Sequence, residues 1–251
     1  GLGGSKLADG GGIHRSSTAA PPRTATGPAG TGESGGSTQR LLLAHRAGAD
    51  GLGIHGAIQQ AKHVFIKMGL HHFVAPHKVN SLRIIEIGFG TGLNAFITTL
   101  ESEALNLQIQ YEGIEAYPVL QEELSQLNYS KLLAPDQQSV FDTMHSVSWE
   151  TPHSINTLFT LKKRQQDFSK LEDVSSFDLV YFDAFGARVQ PDLWTETIFK
   201  RMFIALKPQG VLVTYAAKGS VRRAMQAVGF MVERLEGPPG KREMLRATKP
   251  A

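Results

Sequence analysis

The pattern of hydrophobic and polar positions becomes regular at residue 81. From there, short β-branched and aromatic runs alternate with stretches of helical spacing, and glycine or proline separates them. The runs predict strands at 82–88, 107–115, 158–162, 177–183 and 211–215, then a terminal pair at 230–234 and 242–247. Strands that alternate with helices predict an α/β fold with a doubly wound, mostly parallel sheet that ends in a C-terminal antiparallel strand pair.

The N-terminal part of the chain lacks this pattern. Residues 1–41 are rich in Gly, Ser, Thr, Ala and Pro, and the first aromatic residue of the chain is Phe65. Such a segment buries too little apolar surface to offset its ordering entropy, so we expect a disordered or non-native tail. Its three arginines against two acids also fit an organellar presequence. We interpret residues 42–80, with an amphipathic helix over 56–69, as an N-terminal helical extension.

Composition excludes several classes of protein. No run approaches the ~20 apolar residues that a membrane-spanning helix needs, so we expect a soluble, cytoplasmic protein without a membrane partner. The absence of Cys excludes disulfides, thiolate metal sites and a Cys nucleophile. The histidines between residues 55 and 72 match no metal-ligand spacing, so we predict no metal site.

The most informative motif lies where the first predicted strand gives way to a helix. It reads EIGFGTGLN over residues 86–94, with glycines at Gly88, Gly90 and Gly92. Small residues and backbone N–H groups at the start of a helix let a nucleotide-like ligand approach the chain. The G-x-G-x-G spacing departs from the dinucleotide fingerprint, and a plain tight turn is the alternative.

Acidic residues follow or end four predicted strands. In an open parallel sheet these carboxyl ends form the ligand crevice, so we expect the carboxylates to converge there. Acids suit a ligand with amines and a sulfonium better than a phosphate-rich dinucleotide, which favours S-adenosylmethionine as cofactor. Taken singly, each acid is equally consistent with a helix cap. The predicted cofactor-binding residues are Glu86, Gly88, Gly90, Gly92, Asn94, Glu115, Asp167 and Asp183.

A set of longer segments points to a known family. They are 56–66 (GAIQQAKHVFI), 86–94 (EIGFGTGLN), 181–194 (YFDAFGARVQPDLW), 214–223 (TYAAKGSVRR) and 237–247 (GPPGKREMLRA). Together they resemble the methyltransferase part of the tRNA 5-methylaminomethyl-2-thiouridine biosynthesis family MnmC and its stand-alone relatives, MnmD. The resemblance implies a class I methyltransferase domain over residues 81–251. It also implies methyl transfer from S-adenosylmethionine to the 5-aminomethyl group of the wobble (2-thio)uridine of tRNA.

The chemistry gives one acid a particular role. An alkylamine has a pKa near ~10 and is mostly protonated at neutral pH, so it needs a base before it can attack a methyl group. Asp183 ends the strand nearest the expected methyl group, and the resemblance places the catalytic Asp of the family there. The alternative is that Asp183 only caps the following turn or holds the cofactor. The remaining rate comes from alignment of the reactants, which needs no metal.

The C-terminal end of the chain is basic, with eight Lys and Arg against three acids from Lys218 onward. A group of charged residues, taken by itself, more often marks a solvated surface than a binding site. The resemblance suggests tRNA phosphates of the anticodon stem-loop as partners, contacted by Lys218, Arg222, Arg223, Lys241 and Arg242. An extruded base would stack on the aromatic side chains of Trp194, Phe185 and Tyr215. The alternative is that these side chains belong to the hydrophobic core.

The chain departs from the family in two places. Residues 51–53 read Gly-Leu-Gly where the family has Tyr-His-Ser, so we expect the N-terminal substrate-facing loop to differ from that of the family. Gly186 and Ala187 replace the usual Ala-Pro, which should loosen the loop that carries Asp183. The chain carries one glycine loop, so we expect the flavin-dependent oxidase half of the fused family enzymes to be absent.

Two other kinds of function stay open. Another class I methyltransferase, or a spermidine-synthase-like aminopropyltransferase, would use the same acids to seat a different amine and would ignore tRNA. A tRNA-binding protein with a decayed cofactor site would bind tRNA without binding S-adenosylmethionine.

Overall fold

The computed structural model describes residues 53–188 and 190–251, and the predicted tail at 1–41 lies outside them. The strands of the described part are β1 (Ser81–Ile87), β2 (Gln108–Glu115), β3 (His153–Ser154), β4 (Phe159–Gln165), β5 (Phe177–Phe182), β6 (Leu206–Thr214), β7 (Met231–Glu236) and β8 (Glu243–Thr248). They form one sheet in the order β3-β4-β2-β1-β5-β6-β8-β7.

The helices of the described part are α1 (Gly53–Ala61), α2 (His72–His77), α3 (Leu93–Ala104), α4 (Gln121–Leu124), α5 (Tyr129–Leu133), α6 (Gln138–Ser146), α7 (Glu196–Ala205) and α8 (Gly219–Ala227). A π-helix, Lys62–His71, joins α1 to α2. Short 3₁₀ turns lie at Pro135–Gln137, Phe168–Lys170 and Pro191–Trp194. No helix in these ranges is long and apolar enough to cross a bilayer.

Neighbouring strands from β4 through β2, β1 and β5 to β6 run parallel. Strand β8 pairs antiparallel with β6, and β7 pairs antiparallel with β8. The predicted mostly parallel sheet with a C-terminal antiparallel pair is therefore confirmed. The predicted strand boundaries differ most for β6, which begins at Leu206 rather than at residue 211.

Each face of the sheet carries its own hydrophobic core. On β1, Ile84 packs in the core that contains Phe65 of the π-helix, whereas Ile85 packs in the core that contains Phe199 of α7. Successive residues of a strand point to opposite faces, so a continuous hydrophobic run is what a sheet covered on both sides requires. Because residues 53–77 contribute to the same core as β1, the division of the chain at residue 81 stays a prediction.

The region between β2 and β4 differs from the predicted elements. Pro118 predicts a helix that begins there and continues through Leu127, but the structure has only the single turn α4, in which Leu124 is the buried residue. So short an apolar face gives little packing energy to a longer helix. Helices α5 and α6 follow, where no element was predicted, because their few buried residues, such as Phe141 and Met144, leave a weak hydrophobic pattern.

One edge of the sheet collects the chain segments that matter for function. The carboxyl ends of the five parallel strands lie there, as the topology requires. Thr214 near the end of β6 pairs with Leu245 near the start of β8, so the turn at 237–242 also lies at this edge. The C-terminal basic segment thus returns to the carboxyl edge of the sheet.

Candidate active site

The glycine loop connects β1 to α3 and has a backbone that few other residues adopt. Gly88, Gly90 and Gly92 have φ values of +92°, +52° and +74°. The N–H of Gly88 donates to the Ile114 carbonyl of β2 at 3.0 Å, which fixes the start of the loop. A Cβ on Gly92 would lie 3.0 Å from Cε1 of His145. Both conformation and space therefore require glycine at position 92.

Glu115 is buried at the end of β2 and holds the middle of this loop. Its Oε2 accepts a hydrogen bond from the Gly90 N–H at 3.0 Å, and its Oε1 accepts one from the Tyr117 N–H at 3.1 Å. Hydrogen bonds from N–H groups to a carboxylate are among the stronger ones in proteins. The loop and the carboxylate therefore keep each other in place at the carboxyl edge.

Asn94, in the first turn of α3, joins two of the predicted acids. Its Nδ2 donates to Oε1 of Glu86 at 2.8 Å and to Oδ2 of Asp183 at 2.9 Å. A primary amide nitrogen carries two hydrogens, so one side chain serves both carboxylates. Buried Glu86 also accepts a hydrogen bond from the Tyr111 hydroxyl at 2.7 Å. A continuous polar chain, Tyr111–Glu86–Asn94–Asp183, thus runs from the sheet to the crevice.

Asp183 is half-buried directly after β5, in a segment without regular secondary structure. Its backbone N–H donates to the Ile87 carbonyl of β1 at 3.0 Å. The Ala184 carbonyl then accepts a hydrogen bond from the Tyr215 hydroxyl at 2.7 Å. The side chain and the backbone of this segment are therefore both held by neighbouring elements.

Asp167 is placed differently from the other predicted acids. It is exposed and caps the 3₁₀ turn Phe168–Lys170, where it accepts hydrogen bonds from the Ser169 N–H at 2.8 Å and the Ser169 hydroxyl at 2.6 Å. These hydrogen bonds from Ser169 lower the pKa of the Asp167 carboxyl below its usual value. The capping interpretation therefore fits this acid, and its contact with a cofactor stays a prediction.

His145 and Lys163 support the glycine loop from behind. Burial lowers the pKa of His145 to about 4, and the charge of Lys163 is the second largest cause, so the ring is neutral at pH 7. The Lys163 ammonium donates to the His145 carbonyl at 3.0 Å, and burial lowers the pKa of Lys163 to about 8. Within the described ranges, Nε2 of His145 is buried without a hydrogen-bond partner. The sequence offered no periodic signal for this support.

The predicted phosphate-binding residues lie on elements that meet the carboxyl edge. Exposed Lys218 follows β6 and precedes α8, whose first turns carry Arg222 and Arg223. Arg242 is exposed in the turn before β8, and Lys241 is half-buried with its Nζ 4.2 Å from the centre of the Tyr215 ring. The fold therefore puts the segments that carry these five residues at the same carboxyl edge of the sheet as the glycine loop.

One of the three aromatic residues proposed for base stacking, Trp194, is more enclosed than that role requires. Trp194 is only 6% exposed and packs against Phe182 and Phe199, and its Nε1 donates to the Phe185 carbonyl. This burial favours the core interpretation for Trp194. Two of the upstream histidines have partners outside the site, since Nε2 of His63 lies 2.8 Å from the Glu236 carbonyl and Nε2 of His71 lies 2.8 Å from Oε2 of Glu101. Within the described ranges, no group of three or more His, Cys, Asp or Glu is arranged to hold a metal ion.

Sequence reasoning missed two residues that shape the site. Tyr111 lies in the predicted second strand, and strand alternation alone did not show that its hydroxyl would reach Glu86. The sequence predicts only a stacking role for Tyr215, whereas its hydroxyl donates to the Ala184 carbonyl beside Asp183. Both contacts join residues that are far apart in sequence, so no local motif predicts them.

Comparison with known proteins adds a family match. Residues 144–250 match the sequence model of a family described as S-adenosyl-L-methionine-dependent methyltransferase. Two curated relatives are each named tRNA 5-methylaminomethyl-2-thiouridine biosynthesis bifunctional protein MnmC. The protein from Actinobacillus pleuropneumoniae is 28% identical over 196 residues, which are 69% of this chain and 28% of the relative. The protein from a Marinomonas species is 29% identical over 200 residues, 74% of this chain and 29% of the relative. The chain thus spans less than a third of either relative.

A solved structure supports the fold. MNMC2 from Aquifex aeolicus superimposes with a TM-score of 0.63 at 22% identity, over 79% of this chain and 64% of that one. At this identity the likeness concerns the fold. Together with the family match it confirms the expected class I methyltransferase fold and S-adenosylmethionine as its cofactor.

Proposed function

We propose that this chain, an MnmC-like, S-adenosyl-L-methionine-dependent methyltransferase, methylates the 5-aminomethyl group of the wobble (2-thio)uridine of tRNA. The observation that carries the proposal is the placement of Asp183 beside the glycine loop, oriented by Asn94. The names of the curated relatives support tRNA as the substrate class. We further propose that the reaction takes place in the cytoplasm.

The residues at the carboxyl edge fit S-adenosylmethionine. The left-handed backbone of Gly88, Gly90 and Gly92 turns the chain tightly from β1 into α3, and the N-terminus of a helix suits a nucleotide-like ligand. Glu115 at the end of β2 suits the ribose hydroxyls of such a ligand. We propose that the glycine loop and Glu115 hold the cofactor, with Asp167 toward its adenine end. When bound, it supplies an electrophilic methyl group on a positively charged sulfur.

Asp183 is the proposed general base. The substrate amine arrives protonated, and its nitrogen has no lone pair for bond formation until one proton leaves. The Asp183 carboxylate would accept that proton, and the freed lone pair would form the new N–C bond as the bond from sulfur to the methyl group breaks and leaves its electron pair on a neutral sulfur. No other group of the chain needs to change its charge in this step.

Asn94 keeps this base ready. A hydrogen bond donated to a carboxylate stabilises the ionised form, which is the form that accepts a proton. The same Nδ2 donates to Glu86, so the amide cannot rotate away without breaking both bonds. We therefore propose that Asn94 positions Asp183 in addition to lying beside the cofactor.

The basic residues of the carboxyl edge are the proposed contacts for tRNA. Lys218, Arg223 and Arg242 are exposed there, so they meet a phosphate backbone without a large desolvation cost. Phosphate contacts fix the register of a nucleic acid and leave the chemistry to the crevice. Such a division of labour fits a substrate that is a large polyanion with one reactive amine.

The test is a methylation assay with defined tRNA. The purified chain is incubated with labelled S-adenosylmethionine and tRNA that carries the unmethylated 5-aminomethyl group, and the nucleosides are identified by mass spectrometry. We expect label in 5-methylaminomethyl-(2-thio)uridine, and none with the fully methylated tRNA as matched control. Label transfer to small amines but not to tRNA would favour another methyltransferase. Binding of tRNA without calorimetric binding of S-adenosylmethionine would indicate a decayed cofactor site.

A further inference from the structure

We propose that Tyr215 and Trp194 are positioning residues that hold the backbone after Asp183 and thereby fix the proposed base. The inference rests on the proposed role of Asp183. Neither residue touches the reacting atoms in this interpretation, since both act through backbone carbonyls.

Four consecutive residues of this segment, 183–186, make hydrogen bonds through their backbone groups. The Asp183 N–H donates to Ile87 of β1, and the Gly186 carbonyl accepts from the Gln190 N–H at 3.1 Å. Between them, the Tyr215 hydroxyl donates to the Ala184 carbonyl at 2.7 Å, and Trp194 Nε1 donates to the Phe185 carbonyl. The two side-chain donors come from the residue that follows β6 and from the 3₁₀ turn Pro191–Trp194, so two separate parts of the chain hold the segment.

The segment needs such support because its own sequence is permissive. Gly186 has no Cβ to restrict its backbone, so this segment loses much conformational freedom when it is ordered. The sequence therefore predicted a loose loop, whereas in the described structure carbonyls 184 and 185 are both bonded to side chains. A general base must stay within hydrogen-bond reach of its proton, so small displacements reduce the rate steeply.

Tyr215 is itself held on both sides of its ring. The Lys241 Nζ lies 4.2 Å from the ring centre, and Trp194 packs edge-on with ring centres 6.0 Å apart at 76°. A cation over an aromatic face and an edge-to-face aromatic pair are both favourable. The two positioning residues therefore support each other, and the turn at 237–242 is linked to the base through Lys241.

Replacing Tyr215 by Phe tests the inference, since Tyr215→Phe keeps the ring and removes the hydroxyl. We expect kcat to fall by about 3- to 10-fold, the range for one lost hydrogen bond, while the KM for tRNA and calorimetric binding of S-adenosylmethionine stay unchanged. Hydrogen–deuterium exchange should be faster in the peptide that contains residues 183–188. Trp194→Phe should show the same two effects.

A matched control removes a similar bond elsewhere. Lys249 donates to the Phe203 and Leu206 carbonyls at 2.8 and 2.7 Å, away from the carboxyl edge. Lys249→Met should leave kcat and exchange of the 183–188 peptide at wild-type values. If Tyr215→Phe also leaves both at wild-type values, the inference is wrong while the proposed function stands. If wild-type protein does not methylate tRNA, the proposed function fails, and the exchange measurement still tests the positioning role.

A second variant distinguishes positioning from direct substrate contact. A Cβ on Gly186 would lie 3.7 Å from the Tyr215 hydroxyl, which is ordinary contact distance, and Gly186→Ala would restrict the loop backbone. In the Tyr215→Phe background, Gly186→Ala should recover at least 2-fold of the lost kcat. No recovery would overturn the positioning role and assign the Tyr215 hydroxyl to substrate binding.

Discussion

The two sides of the carboxyl edge use polar residues in opposite ways. On the glycine-loop side, Glu86 and Glu115 are at most 2% exposed, and their oxygens accept hydrogen bonds from named groups. On the C-terminal side, Lys218, Arg223 and Arg242 are exposed to solvent. The glycine-loop side therefore fixes the positions of its carboxylates, whereas the C-terminal side presents positive charge to the solvent.

This difference determines how substitutions should behave. Removing the partner of a buried polar group destabilises the protein. Substitutions in the hydrogen-bonded series Tyr111–Glu86–Asn94–Asp183 should therefore have large and non-additive effects. Exposed charges in water interact weakly, are screened by salt and act nearly independently. Chemistry and pH dependence should therefore report on the glycine-loop side, and salt dependence on the C-terminal side.

The largest expected effect is on the proposed base. Asp183→Asn keeps the shape of the side chain and removes its ability to accept a proton, so kcat should fall by about 10²- to 10⁴-fold. Calorimetric affinity for S-adenosylmethionine should change far less. The exposed Asp136, replaced by Asn, is the control and should leave kcat unchanged. A kcat of Asp183→Asn within a few-fold of wild type would contradict the assignment.

An intermediate effect concerns the pH dependence of stability on the glycine-loop side. The folded pKa of His145 is about 4, below its ordinary value of 6.5, because of burial and then Lys163. Between those pH values the unfolded chain binds a proton that the folded chain does not, so unfolding free energy falls as pH drops from 6.5 toward 4. The loss should be on the order of 1–3 kcal/mol.

The variant His145→Gln isolates this contribution. Urea unfolding at pH 7 and at pH 4 should show that wild-type protein loses more stability than His145→Gln over the same interval. Other groups titrate in this range, and comparing the two proteins cancels their contribution. Equal losses in the two proteins would show that the ring is not held neutral behind the loop.

The fold was largely predictable because it depends on periodicity and topology. Hydrophobic runs at 82–88 and 177–183 give central parallel strands, and these strands carry Glu86 and Asp183 to the same edge. The hydrophobic pattern did not predict α6, because the buried face of this helix is short. It therefore did not predict that His145 of α6 lies behind the glycine loop.

The candidate site was predictable as a set of residues but not as a set of contacts. The acids at strand ends follow from topology alone. That Asn94 bridges Glu86 and Asp183, or that Tyr215 bonds the Ala184 carbonyl, depends on side-chain packing between elements distant in sequence. Local spacing constrains only neighbours, so the positioning residues emerged from the structure.

The smallest expected effect is on the C-terminal side. Lys218→Gln and Arg223→Gln should each raise the KM for tRNA and leave kcat nearly unchanged, because they remove phosphate contacts and no part of the base. Each should also reduce the slope of log affinity against log salt by about 0.7–0.9, the value for one phosphate contact. Lys207→Gln is the control, since it removes the same charge at the amino end of β6, where Lys207 pairs with Asp178 at 3.0 Å. If Lys207→Gln lowers the salt slope as much as Lys218→Gln does, tRNA responds to net charge, and the carboxyl edge is not a specific phosphate surface.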